Sequence, residues 1–199
     1  MIRLLLVRHA NPDANGTRLA GRREGIALNE VGRVQAQWLA AGLAVLPVSA
    51  IYSSPLQRAM ETAEAIATLV GRDVAPREEF LEIEFGEWTG LDFNALSRDA
   101  RFERFNRFRS CADVPAGESM LQAQVRMIDG LSRVRARHRH DCVVVGSHGG
   151  LIRASIAYYA GIPLDLMQRI EVSTGSLSEI ELDDDHVRIV RINETDARV

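Results

Sequence analysis

The stretch Asp141–Ile162, DCVVVGSHGGLIRASIAYYAGI, passes directly from an apolar run of strand length into a helical pattern. Cys142 to Val145 is continuous and rich in β-branched residues, as in a strand buried on both faces. Ser147-His148 breaks the run, and GGLIRASIAYYAGI (149–162) follows as a helix. The chain therefore enters a helix from the carboxyl end of a strand, through a glycine-rich turn that carries a histidine. The free N–H groups and the dipole of a helix start favour a dianion at such a turn.

The same order recurs upstream. Ile2 to Val7 is a second buried run, ended by Arg8, His9 and the turn-forming residues of ANPDANG. LNEVGRVQAQWLAAGL then reads as a helix capped by Asn29, with Val31, Val34, Trp38 and Leu39 at helical spacing. VSAIYSS is a third strand, and PLQRAMETAEAIATLV a helix with Pro55 near its first turn, where proline is favoured. GESMLQAQVRMIDGLSRVRARH is a long amphipathic helix that feeds the Asp141 strand. SLSEIEL, DDD and HVRIVRIN alternate like a terminal β-hairpin. Strands alternating with helices predict a three-layer α/β/α sandwich around a mainly parallel sheet, whose ligands bind in the crevice beyond the strand carboxyl ends.

Composition narrows the chemistry. The 199 residues are 46% hydrophobic, enough for one domain spanning 1–199, with no repeat or long linker. The net charge of −3 argues against a broad basic field for nucleic acid or anionic lipid. All 24 basic residues are arginines, which excludes a Schiff-base lysine and a Walker-type phosphate loop. Two cysteines supply neither a disulfide framework nor a cysteine metal site. MIRLLLV is too short for a signal-peptide core and no apolar run approaches a membrane span, so a cytoplasmic location is expected.

Three strand ends thus deliver Arg8 and His9, then Ser53, Ser54 and Arg58, then His148, Gly149 and Gly150 to one side of the sheet. Taken singly, a histidine after a strand is a surface or satisfied core residue, and Arg58 an ordinary helix charge. Their convergence suits a phosphoryl group. Arginine forks bind phosphate oxygens, and an imidazole kept neutral by neighbouring cations is an available nucleophile. A proton donor for the leaving oxygen is needed as well. Glu79, Glu82, Glu84 and Glu87 in EEFLEIEFGEWTGLDF (78–93) are candidates, and composition does not choose among them. A carboxyl pressed against Phe85 or Trp88 would have its pKa raised, as a general acid requires.

Together LLLVRHA, IYSSPLQRAMETAEAIA, LEIEFGEWTG, PAGES and VVVGSHGGLIR resemble, in order, the signatures of the histidine phosphatase superfamily, branch 1, the phosphoglycerate mutase-like family. The resemblance runs from the first strand to about Ala160. It implies a phosphoglycerate mutase-like fold and a phosphohistidine intermediate at His9. Arg8, Arg58 and His148 would clamp the phosphoryl oxygens, and Glu82 would serve as acid and then base. Asn15 and the Gly149 amide would add phosphate contacts, and no metal or other cofactor is required. Ala10 departs from the family's glycine and would be strained if that position needed a positive φ. Asn11-Pro12 also departs, which points to an altered pocket wall.

Between the acid motif and PAGES, a cap-like insertion is expected around 91–117. SRDARFERFNRFR (97–109) places Phe102, Phe105 and Phe108 on one helical stripe and Arg101, Arg104 and Arg107 on its neighbour. The expectation is a cap helix with solvated arginines; the sharper alternative has some of them bind a second anionic group of the substrate. The implied activity is a metal-independent phosphatase acting on small phosphomonoesters, with a small phosphorylated metabolite as partner, no nucleic acid or membrane, and a homodimer allowed for. The alternatives are a phosphoglycerate mutase, for which the chain is short, and a non-catalytic phosphate-binding module on the same fold. Such a module would have no use for the pair His9 and Glu82.

Overall fold

A computed structural model describes residues 1–13 and 16–196, so Asn15 lies outside the described residues. Their order is β1 (Ile2–Arg8), α1 (Glu30–Ala44), β2 (Val48–Ser53), α2 (Gln57–Val70), β3 (Val74–Pro76), α3 (Phe93–Leu96), α4 (Ala100–Arg107), α5 (Met120–Arg137), β4 (Cys142–Ser147), α6 (Gly149–Ala160), β5 (Leu177–Leu182) and β6 (Val187–Glu194). The sheet order is β3-β2-β4-β1-β5-β6. The first four strands run parallel, and β5 and β6 are added antiparallel at the far edge.

The continuous apolar runs have the cause their pattern predicts. Leu4 and Leu6 of β1, with Val143 and Val145 of β4, pack among residues of α5 and α6. Leu5, Val7 and Val144 face the other way, onto Leu39 and Leu43 of α1 and Ala63 and Ile66 of α2. Each central strand is thus covered on both faces, and the sandwich has the expected three layers.

Local capping sets where the helices begin. The Asn29 side chain accepts from the Gly32 amide at 2.8 Å at the start of α1. Ser119 and Gln122 form a reciprocal capping box at the start of α5. The buried face of α1 differs from the expected one: Val31 and Val34 are exposed, while Gly32, Ala36, Leu39, Ala40 and Leu43 are buried. The first turn of α1 lies so close to the loop after His9 that only glycine fits, which rotates its valines outward. The expected terminal hairpin is present as β5 and β6. β5 nevertheless has no solvated face, because Glu179 is buried between the guanidinium groups of Arg3 and Arg191.

Parallel register places the functional strand ends level with one another. Arg8 pairs with Ser147, and Ser53 with Gly146. The chain then leaves each strand at the same edge, through His9, Ser54 and His148.

Candidate active site

His9, His148 and Arg58 are all buried at this edge. The His9 Nδ1 lies 2.9 Å from the Ala10 carbonyl oxygen, to which it donates, so the Nε2 lone pair is free. Burial, with Arg58 and Arg8 beside it, pushes the His9 pKa down to about 3. The imidazole is therefore neutral at pH 7. Ala10 donates its amide to Thr62 Oγ1 at 3.0 Å, and Thr62 donates to the Arg58 carbonyl at 2.8 Å. This pins the His9 loop to α2. Ala10 has no positive φ, so alanine sits there without strain.

His148 is the N-cap of α6 and packs against His9, ring centroids 5.1 Å apart. Its Nε2 is 2.8 Å from Ser54 Oγ. Its Nδ1 is 3.4 Å from Arg58 Nη2 and 4.0 Å from Glu82 Oε2. Burial, then the neighbouring His9, Arg58 and Arg8, hold its pKa well below the usual value. Arg58 also donates to the Gly21 carbonyl at 2.8 Å, and Arg8 Nη1 to the Val172 carbonyl at 2.6 Å. Each guanidinium still has a buried nitrogen without an acceptor, Nε of Arg8 and Nη1 of Arg58. Buried charged donors without acceptors are expensive, and an anion between them would satisfy both. Gly149 makes room for this arrangement: a Cβ there would stand 3.0 Å from Arg8 Nε and 3.1 Å from Cζ.

Among the four candidate glutamates, Glu82 reaches the cleft. Burial raises its pKa, against lowering contributions from the Ile83 amide, Arg58, Arg8 and Arg126. Glu79 pairs instead with Arg133, Glu84 with Arg22 and Glu87 with Arg101. Phe85 lines the cleft beside Glu82, whereas Trp88 is buried against Phe102 and Phe105 and donates Nε1 to Asp99.

The backbone that carries Glu82 is gripped from several sides. Arg22 Nε donates to the Glu82 carbonyl at 2.7 Å, and Arg126 Nη1 to the carbonyls of Glu78, Glu79 and Leu81 at 3.1, 2.7 and 3.1 Å. Both arginines are held by Glu118, which accepts from Nε and Nη2 of Arg126 at 2.8 Å each and from Nη2 of Arg22 at 3.1 Å. The Ser147 hydroxyl, at the end of β4, donates to the Phe80 carbonyl at 2.9 Å. Sequence reasoning singled out none of Arg22, Glu118 and Arg126 for this task; only PAGES, as a helix entrance, pointed near it.

Arg8, His9, Arg58, Glu82 and Gly149 line a cleft of about 410 Å³, together with Arg18, Phe93, Arg109, Gly150 and Arg153. Of the 97–109 arginines, Arg101 and Arg107 are exposed and paired with Asp99 and Glu103, as the solvated stripe predicts. Arg109 is the one that lines the cleft. Among the described residues no group of three histidine, cysteine or acidic side chains could hold a metal ion.

The sequence model of the histidine phosphatase superfamily (branch 1) matches residues 4–195. The chain belongs to that family. This histidine phosphatase is 31% identical over 200 residues to phosphoserine phosphatase 1 of Hydrogenobacter thermophilus, covering 98% of this chain and 93% of that one. Its structure is similar to that of a mycobacterial glucosyl-3-phosphoglycerate phosphatase complexed with vanadate, VO3, at 27% identity and a TM-score of 0.86, covering 97% and 99% of the two chains. It is also similar to an Entamoeba histolytica phosphoserine phosphatase variant solved with phosphoserine, at 25% identity and a TM-score of 0.87, with 97% of each chain covered.

Proposed function

We propose that this histidine phosphatase hydrolyses small phosphomonoesters without a metal ion, through a phosphohistidine at His9. The observation that carries the reading is the neutral His9 imidazole, its Nδ1 proton committed to Ala10 and its Nε2 free beside two guanidinium groups with unmatched donors.

In the first step Nε2 of His9 attacks phosphorus and the P–O ester bond breaks. Charge on the equatorial oxygens is held by Arg8, Arg58 and the Gly149 amide. His148 accepts from Arg58 Nη2 at Nδ1 and donates from Nε2 to Ser54 Oγ, and so holds the Arg58 guanidinium among these donors. Asn15 is assigned to this phosphate-binding set by its place in the family motif. Glu82, whose pKa burial raises, gives a proton to the leaving alkoxide. In the second step the Glu82 carboxylate takes a proton from water, the water oxygen attacks phosphorus, and the P–N bond breaks to release phosphate and free His9.

The segment 91–117 is assigned as a cap: it carries Phe93 and Arg109 to the cleft and packs Phe105 under Trp88. No described helix is long and apolar enough to cross a membrane, and a cytoplasmic site of action accords with a small phosphorylated metabolite as substrate. Hydrolysis is favoured over a mutase by the phosphatases that the chain resembles over nearly its whole length.

The test is phosphate release from a panel of phosphomonoesters that includes 3-phosphoglycerate, in EDTA, with wild type and His9→Ala. Release that survives chelation and falls at least about a thousandfold in the variant is expected for loss of a covalent nucleophile. Isomerisation of 3-phosphoglycerate without net phosphate release would establish the mutase instead.

A further inference from the structure

A second cavity, of about 260 Å³, lies between α5 and the β2–β3 edge of the sheet, and it shares no lining residue with the catalytic cleft. Tyr52, Phe80 and Val134 are the buried part of its lining. Gly130 lets the walls meet: a Cβ there would stand 2.7 Å from Glu79 Cβ and 3.0 Å from Phe80 Cε1. The Tyr52 hydroxyl is 2.9 Å from His138 Nε2, and His138 Nδ1 is 2.9 Å from Asp141 Oδ2, so the Tyr52 ring has a fixed orientation.

Three exposed arginines complete the lining, one just past β3 and two from the last turns of α5. Arg77 has its guanidinium carbon 5.4 Å from the centre of the Tyr52 ring, and among the described residues its side chain donates only to the Pro76 carbonyl, at 3.0 Å. The Arg137 guanidinium has no hydrogen-bond or ion-pair partner among the described residues. Arg133 is shared between Glu79 and Asp129. Three arginines against the single carboxylate of Glu79 leave two positive charges in excess around the cavity, in a chain whose net charge is −3. Complementing the carboxyl end of the α5 dipole would account for Arg137. It gives no reason for Arg77 to arrive from the other side, set on an aromatic face and without a carboxylate.

We propose that Arg77, Arg133 and Arg137 form a second anion site, outside the catalytic cleft, that binds the phosphate group of a small molecule. A dianion matches the excess charge of the lining, and a tetrahedral group offers oxygens to guanidinium groups that come from two elements. The volume lies just below the range of about 300–1,000 Å³ usual for drug-sized ligands, which suits a phosphate carrying a short organic group against Tyr52 and Phe80. The site does not depend on the reaction assigned to the cleft.

The experiment is an NMR titration of the non-hydrolysing His9→Ala variant with inorganic phosphate and with glycerol 2-phosphate, reading the Gly130 backbone amide for this cavity and the Gly149 amide for the cleft. The Gly130 amide is expected to shift saturably with both probes. Arg77→Gln together with Arg137→Gln, added to His9→Ala, should raise the concentration at the Gly130 midpoint at least about tenfold, the scale of lost charged hydrogen bonds, and leave the Gly149 midpoint within about twofold. Amide dispersion shows whether each variant is folded, and Arg137→Gln alone, at an exposed side chain, reads the site if the double change unfolds the chain. Tighter binding of glycerol 2-phosphate would identify a phosphorylated metabolite as the occupant, and equal binding would identify phosphate itself; both uphold the site. A Gly130 response that is absent, that sodium chloride reproduces at equal ionic strength, or that the arginine variants leave unmoved would overturn it. Absence of the Gly149 response alone would count against the reading of the cleft and leave this site standing.

Discussion

Burial favours the neutral forms of both His9 and Glu82, and the consequence for catalysis is opposite. A neutral imidazole is a base and nucleophile, while a neutral carboxyl is an acid. The cations that help lower the His9 pKa also oppose the rise at Glu82, and burial prevails at the carboxyl. Replacing Glu82 by Gln removes the proton but keeps the shape. We expect kcat on alkyl phosphates to fall about 10²–10⁴-fold, the usual contribution of a general acid. Loss on p-nitrophenyl phosphate, whose leaving group needs no proton, should stay under about tenfold. With wild type, activity on alkyl phosphates should fall as pH rises through the raised Glu82 pKa, and Glu82→Gln should lack that limb. Equal losses on both substrates would move the acid to another carboxylate.

At the scale of elements, the acid loop is built from irregular backbone, so its position depends on partners outside itself. Arg22 and Arg126 grip its carbonyls, and Glu118 orients both arginines from the turn that leads into α5. Gly86 closes the other end. With φ of 48°, and a would-be Cβ 2.1 Å from the Pro115 carbonyl oxygen, it lets the acid motif lie flat against PAGES. Glu118→Gln keeps the volume but removes the charge that fixes two guanidinium groups. It should destabilise the fold by about 1–3 kcal/mol, as for loss of a buried charged partner. It should also lower kcat on alkyl phosphates about tenfold, with a smaller loss on p-nitrophenyl phosphate, since Glu118 acts through the placement of Glu82. Parallel losses on both substrates would mean a purely structural residue.

For the whole molecule, burying two neutral histidines couples stability to pH. The unfolded chain protonates them near pH 6.5, whereas folded His9 does so near 3 and His148 well below its usual value. The unfolded state thus binds more protons below about pH 6.5. Stability is full above that pH and declines on acidification, by about 1.4 kcal/mol per pH unit for each histidine. Glu82, with its raised pKa, works in the reverse direction, its contribution being lost as pH rises through the folded value. Urea unfolding from pH 4 to 7 should show the decline, and His9→Gln should remove one histidine's share of the slope. An unchanged slope would mean that His9 is protonated in the fold.

The amino-acid sequence by itself determined the alternation of strands and helices and the chemistry at the strand ends. These are local properties: an apolar run buried on both faces, a cap, a glycine-rich turn, and an arginine or histidine one residue past a strand. Its motifs also named Glu82, which composition alone left among four carboxyls. Tertiary structure decided what depends on distant partners. Glu82 reaches the cleft while Glu79, Glu84 and Glu87 find arginines elsewhere, which supports the proposed choice. The outward rotation of Val31 and Val34, the clamp built on Glu118 and the placing of Arg109 and Arg153 in one cleft were likewise hidden, because each joins residues far apart in the chain. Side-chain periodicity records which face is apolar, but not which charged group from another element will meet it.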